Sequence, residues 1–355
     1  MKPMETDWLY SRRNFLKATG AAAMAVSFGG PARAASKQIN VYNWDTYIGE
    51  TTLDTFARNA GVEVKYDLYA NLDDMFAKFK TGNPGYDVIF PSDYMIETMI
   101  KSEMLLPVDK GRLANWGNID ENFRDPGFDP GCKYNVPYFW GTVGVGYRTT
   151  RVEDLRSWKT LLDDAAHSGR IALMADSRIV MGITLLYMGH KMNSTDPAHI
   201  NAARDLLIRQ KKHIKAFAPD SGQDMLVSGD VDMAMEWNGD ILKVMAEDSE
   251  LSYVLPDEGS LVWIDGVCIP KGAPNLDNAY AFIDHLHDPV VNAEIADTIH
   301  YATSNKPARK LIQKADLENP AIYPPDEVVA KCDSLIEIGD AQRLYDDAWT
   351  RIQAA

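Results

Sequence analysis

From Gln38 onward, short stretches with the apolar period of a strand alternate with stretches that carry the apolar stripe of a helix. No other feature of the chain restricts its fold as much. Residues 39–43 read as a strand, and 51–60 as a helix with Leu53, Phe56 and Ala57 on one face. Val62-Glu63-Val64-Lys65-Tyr66 alternates strictly, as a strand does. Residues 72–80 return to helix with Met75, Phe76 and Phe79 as the stripe. Residues 87–90 form a short buried strand closed by Pro91, and 94–101 are helical. The pattern resumes with strands at 170–174, 231–236 and 261–269, and with helices at 180–190, 202–211, 240–246 and 278–285. Residues 290–299, 310–314 and 341–352 also read as helical. Such alternation gives mostly parallel sheets with helices on both faces. A chain of 355 residues exceeds what one core usually takes, so two α/β lobes are expected.

The first residues carry an address. Ser11-Arg12-Arg13-Asn14-Phe15-Leu16-Lys17 precedes a mildly apolar run over 18–30, and Ala32-Arg33-Ala34 then offers the small residues a signal peptidase reads. Paired arginines before such a run mark twin-arginine export. The run is too short and too glycine-rich to span the ~30 Å of membrane hydrocarbon. Residues 1–34 are therefore expected to be a cleaved leader, and the rest a soluble exported monomer. With 36 Lys+Arg against 51 Asp+Glu the net charge is −15, which argues against nucleic acid as a partner, because phosphate binding needs a basic face. Cys132, Cys268 and Cys332 lie far apart without a Cys-x-x-Cys pair, so neither a thiolate zinc site nor a disulfide scaffold is expected.

Ligands of open α/β sheets bind beyond the carboxyl ends of strands, so the residues that follow each strand are the candidates. They are Trp44-Asp45 with Tyr47, Pro91-Ser92-Asp93-Tyr94, Ala175-Asp176, Trp237-Asn238-Gly239-Asp240 and Trp263-Ile264-Asp265. In four of these five places an aromatic ring stands within three residues of an aspartate. An aromatic face stabilises an ammonium by ~0.5–2 kcal/mol, and a carboxylate gives it charge-assisted hydrogen bonds. Rings also cover methylenes, at roughly 0.8 kcal/mol per CH₂. A small aliphatic amine would use all three. Taken singly, a tryptophan is more often core and a strand-end aspartate more often a helix cap, as Asp93 and Asp240 could be.

In their order and spacing, Tyr42-Asn43-Trp44, the run Tyr86 to Tyr94, Pro137-Tyr138-Phe139-Trp140-Gly141, Trp237-Asn238-Gly239, Trp263-Ile264-Asp265 and Tyr301-Ala302-Thr303-Ser304-Asn305 resemble bacterial spermidine/putrescine-binding proteins. Those are periplasmic receptors of ABC importers, and the likeness runs from about Gln38 to Trp349. It implies a two-lobed periplasmic binding protein fold of type II, each lobe a mostly parallel sheet flanked by helices. Residues 35–141 and 264–310 would form lobe 1, and 142–263 and 311–355 lobe 2. Trp44, Tyr47, Tyr94, Trp237, Trp263 and Tyr301 would then box a methylene chain, with Ser92, Asp176, Asp240 and Asp265 on the nitrogens and Asp45 beside them. A membrane permease is the implied partner.

Three departures bear on the ligand. Where the family usually sets a small hydroxyl residue and then an acid after the first Trp, this chain has Asp45 then Thr46. Spermidine receptors carry a glutamate three residues beyond the position of Asp176, where Ile179 stands here, whereas Trp237-x-x-Asp240 is the putrescine-type arrangement. An unpaired buried ammonium costs several kcal/mol, so a putrescine-like diamine is expected over spermidine. Arg178 is expected to make a structural salt bridge. If it faced the cleft, an amine-bearing amino acid such as 4-aminobutyrate would become the alternative.

An exported enzyme is the remote alternative. Residues 141–146 are glycine-rich but lack the G-x-G-x-x-G spacing and read as a tightly packed strand. The phosphate-loop, zinc-protease and serine-elbow motifs do not occur. His285 and His287 are two apart and point to different helix faces, and Asp333 and Glu337 share a helical face only as a surface pair. The sequence thus assigns no catalytic residue, metal ligand or cofactor.

Overall fold

The computed structural model describes residues 37–355. The leader expected over residues 1–34 lies outside the described residues.

Strand β1 (Gln38–Trp44) pairs in parallel with β2 (Glu63–Tyr69) on one side and with β3 (Val88–Ile89) on the other. Its last four residues are all buried, as a strand covered on both faces requires, whereas β2 at the edge alternates between exposed and half-buried positions over its first five residues and buries only Tyr69 at its end. The connecting helices are α1 (Thr52–Ala60), α2 (Leu72–Phe79) and α3 (Asp93–Lys101). Helix α1 ends where Gly61 adopts φ 65° and donates its N–H to the Ala57 carbonyl, while Asn71 opens α2 by accepting the Asp74 N–H at 2.8 Å.

The centre of the sheet is antiparallel. The 14-residue β4 (Asn135–Arg148) pairs with β9 (Val262–Cys268) along its first part, then with β7 (Met233–Trp237) and β8 (Leu251–Val254) along its second. Beyond β7 lie β5 (Ile171–Met174) and β6 (Ile214–Ala218), parallel to one another, and β5 is also parallel to β7. The strand order is β2-β1-β3-β9-β4-β7-β5-β6, with β8 and the short β10 (Ala302–Thr303) added on β4. Two parallel wings thus flank an antiparallel centre. The glycine-rich 141–146 run lies within β4, as expected. The second wing carries α4 (Ser177–Tyr187), α5 (Pro197–Lys211), α6 (Gly222–Val227) and α7 (Asn238–Met245), and the chain closes with α8 (Leu276–Leu286), α9 (Pro289–Ile299) and α10 (Gln342–Ala354).

Several expectations are corrected here. The helix read at 180–190 begins at Ser177, because Asp176 caps it, accepting the N–H groups of Arg178 and Ile179 at 2.9 Å. Asp93 and Asp240 are not caps. Ser92 and Trp237 hold those positions, and both aspartates sit inside the first turn. Residues 310–314 are not one helix but lie between a 3₁₀ turn and a four-residue helix. Asp333 and Glu337 share no helical face, because Asp333 bridges Leu261 in an extended segment and Glu337 pairs with Lys101. His285 and His287 bond to separate backbone carbonyls, of Thr52 and of Ile283 and Pro137. All three cysteines are free thiols.

Candidate functional site

The carboxyl ends of β1, β6 and β7, together with mid-β9, meet at one partly open cavity of about 330 Å³. Trp44, Asp45, Tyr47, Ser92, Asp220, Trp237, Asp240, Trp263, Asp265 and Tyr301 line it. Local chemistry fixes the walls. The Trp44 indole donates to the Phe90 carbonyl at 3.0 Å, so the ring at the end of β1 is tied to the end of β3. Asn43 donates to the Tyr47 carbonyl at 3.1 Å and holds the turn that brings Tyr47 back under the sheet. At the start of α7, Gly239 leaves room for Tyr301: a Cβ there would stand 2.5 Å from the Tyr301 ring. That clearance lets the Tyr301 hydroxyl donate to Asp240 Oδ2 at 2.8 Å.

Five rings enclose the space. Centroids are 6.1 Å apart for Trp44 and Trp237, 5.6 Å for Trp237 and Trp263, 5.1 Å for Trp263 and Tyr301, and 5.5 Å for Tyr301 and Tyr47. All four interplanar angles lie between 67° and 83°, edge to face. Such rings turn both faces and edges to a guest, which suits methylenes and cations alike.

The carboxyl groups lack counter-charge: among the described residues no lysine or arginine lines the cavity. Asp265, in β9, is 3% exposed, and burial pushes it up to about 7 against the pull of the Ser92 and Tyr47 hydroxyls nearby. Among the described residues its Oδ1 has no hydrogen-bond partner, nor do the Trp263 indole N–H and the Tyr47 hydroxyl on the same walls. Asp240 is pushed up to about 6 by burial, offset by hydrogen bonds from Tyr301 and Thr46. Asp220, just past β6 with φ 48°, is pushed up to about 8 by burial and by the charges of Asp240 and Asp45. Behind them Glu236 is fully buried and lifted well above the usual carboxylate range by that burial, its oxygens accepting the backbone N–H groups of Trp237 and Gly222. Carboxylate oxygens of Asp220, Glu236 and Asp240 lie within 4.8 Å of one another. Burial dominates each of these shifts.

Of the residues singled out in the sequence, all but Tyr94 and Asp176 line this cavity. Asp45 is exposed and accepts the Thr46 N–H, so its carboxylate folds onto its own turn. Asp176 instead lines a smaller neighbouring cavity that shares Trp44, Asp220 and Trp237 with the first, and burial pushes it up to about 6. Tyr94 packs under Arg178, whose guanidinium lies 5.6 Å from its ring. Arg178 makes no salt bridge among the described residues and lies outside the cavity. It donates to Asn193 Oδ1, Gln342 Oε1 and the Ile336 carbonyl, tying α4 to the C-terminal segment. Asp220 escapes the strand-end rule because 214–218 shows no clear strand period in the sequence. Glu236 escapes it because that acid lies within a strand rather than beyond one.

The model of the bacterial extracellular solute-binding proteins matches residues 51–324, and that of the twin-arginine signal sequence residues 10–29. The chain is 32% identical over 338 residues to the spermidine/putrescine-binding periplasmic protein of Salmonella typhimurium, covering 94% of this chain and 97% of that protein. It is likewise 32% identical over 345 residues to the putrescine/cadaverine-binding protein of Pseudomonas aeruginosa, covering 93% and 98%. Among solved structures, the substrate-binding protein of a spermidine/putrescine ABC transporter from Streptococcus pneumoniae matches with a TM-score of 0.75 at 31% identity. That match covers 90% of this chain and 99% of the other.

Proposed function

Because the chain belongs to the bacterial extracellular solute-binding proteins, and among them to the periplasmic spermidine/putrescine-binding proteins, we propose that it captures a short polyamine for an ABC permease. It is an exported periplasmic binding protein with a twin-arginine signal, not an enzyme. In this reading residues 35–141 and 264–310 form one lobe and 142–263 and 311–355 the other, and the amine lies in the cleft between them. Lobe closure, stabilised by contacts from both sides, is the event presented to the permease. The observation that carries the reading is a cavity walled by five aromatic rings whose only ionisable groups besides tyrosine, among the described residues, are aspartates. Asp265 takes one nitrogen, Asp240 the other, and the rings cover the carbons between them.

Putrescine is favoured over spermidine. Ile179 is buried where a further acid would be needed, and Asp176 already caps α4. The adjoining cavity, with Asp176 and Asp220 on its walls, supports a second reading in which a longer amine extends past Trp44 and Trp237. An ω-amino acid is disfavoured, because its carboxylate would face aspartates while Arg178 is engaged elsewhere. Calorimetric titration with putrescine, spermidine and 4-aminobutyrate tests the proposal. Tight putrescine and weak spermidine binding are expected. Equal binding of both moves the ligand into the second cavity, and binding of 4-aminobutyrate alone overturns the polyamine reading.

A further inference from the structure

Asp220 follows β6, Glu236 lies near the end of β7 and Asp240 sits in the first turn of α7, so three separate elements bring three carboxyl groups to one point. Their oxygens lie within 4.8 Å of one another, and no lysine, arginine or histidine is ion-paired to any of them among the described residues. Like charges this close and this sheltered from water cannot all persist. The groups that face them deepen the difficulty. Asp45 comes from the turn after β1 and Asp224 from α6, the tyrosines Tyr301 and Tyr253 stand nearby, and exposed Lys243 one turn along α7 is the cation among them. A second observation points to a guest. Asp265 Oδ1, the Trp263 indole N–H and the Tyr47 hydroxyl are buried and without partners on the walls of the cavity that Asp220 and Asp240 also line.

We infer that Asp220, Glu236 and Asp240 share a proton in the ligand-free protein, which a ligand ammonium replaces, so that amine capture releases a proton to solvent. The inference rests on the polyamine reading and adds to it. Asp220 and Glu236 act as a proton reservoir behind Asp240, and the site holds its amine less tightly in acid. Burial raises all three groups, helped by repulsion from Asp240 at Asp220 and Glu236 and from Asp45 at Asp240, to about 8 for Asp220 and about 6 for Asp240, so the exchange falls near neutral pH. The sign is fixed by linkage. The free protein binds protons more tightly than the complex, so affinity rises with pH up to the pKa of the free trio.

The test is calorimetry of the exported protein with putrescine at pH 6, 7 and 8, each in two buffers of different ionisation enthalpy. The wild type should release more than one proton at pH 7, about one from the trio and part of one from Asp265, and bind at least ~10-fold more tightly at pH 7 than at pH 6. The near-isosteric variants Asp220→Asn and Glu236→Gln should each release fewer protons and flatten the pH dependence. A wild type that binds with no proton release, or variants that release as many protons as the wild type, would overturn the inference. Should no amine bind, the polyamine reading fails. Potentiometric titration of ligand-free wild type against Asp220→Asn from pH 5 to 8 then decides the shared proton alone. A difference of about one proton upholds the shared proton, and identical curves overturn it.

Discussion

Replacing Asp265 by asparagine separates the needs of the empty fold from those of a bound amine. In the ligand-free protein this carboxyl is 3% exposed, has one oxygen without a partner and titrates at about 7. Near neutral pH it is already part of the time uncharged, so an amide of the same shape removes little that the empty fold relies on. An amide never ionises, so the variant should be the more stable above about pH 4, by up to about 4 kcal/mol at pH 7 and beyond, where the native carboxyl must be either kept protonated or buried charged. Binding is another matter. A hydrogen bond to a charged group is worth about 1.5–3 kcal/mol, and a buried ammonium left without its counter-ion costs about 3–5 kcal/mol. At 1.4 kcal/mol per tenfold, putrescine affinity should fall by about two to three orders of magnitude. Calorimetry measures the loss, with Asp333→Asn as the control, since Asp333 is exposed and its carboxylate accepts only the neighbouring Ser334 N–H. Affinity within about threefold of wild type, or equal losses in both variants, would refute the assignment.

Other expectations follow from the same geometry. Trp263→Ala removes a ring buried against Tyr301 and Trp237. It should cost about 3–5 kcal/mol of stability and lower putrescine affinity while circular dichroism still reports the native fold; unchanged affinity would make the ring core alone. Gly141→Ala would set a methyl 2.7 Å from the Trp263 ring, so about 1–3 kcal/mol of overpacking and weaker binding are expected, and thermal melts and binding data indistinguishable from wild type would contradict this. Asp93, Asp220 and Asp265 are raised to about 8, 8 and 7, so the folded chain binds protons more tightly than the unfolded one. The stability this gives is complete below about pH 4 and is lost as pH rises through 7–8. The Tm of the ligand-free protein should therefore fall between pH 5 and 8, and a rising Tm would show that other groups dominate. Arg178→Gln should lower Tm without altering the preference for putrescine over 4-aminobutyrate, and a change in that preference would place the guanidinium in the site.

How far the sequence could be read depended on what kind of signal each element carried. β1 and β3 announce themselves by apolar runs, and α1 and α2 by their stripes, because burial on one or two faces dictates residue type there. The aspartate–aromatic pairs after those strands were visible for the same reason. β6 was not. Ile214-Lys215-Ala216-Phe217-Ala218 follows the basic end of α5 after only Lys212 and His213, and most of it is only half-buried, so neither period stands out. Once β6 is placed, the rule that led to Asp45 and Asp240 leads two residues on to Asp220. Glu236 carried a different kind of signal, an acid inside Met233-Ala234-Met235-Glu236-Trp237. Its meaning depends on Asp220 and Asp240 arriving from other elements, and no spacing along the chain encodes that. Arg178 looked like one half of an ion pair, yet its partners are three neutral oxygens that come from remote segments. Tyr94 and Asp176 follow their strands as the others do, but one is held under Arg178 and the other is drawn to the start of α4.

The most direct measurement is the crystal structure of the protein with putrescine bound. One nitrogen should lie within hydrogen-bonding distance of the Asp265 carboxylate and the other of Asp240, with the methylenes between Trp237, Trp263 and Tyr301. A ligand whose nitrogens contact neither aspartate, or one seated outside this cavity, would contradict the account.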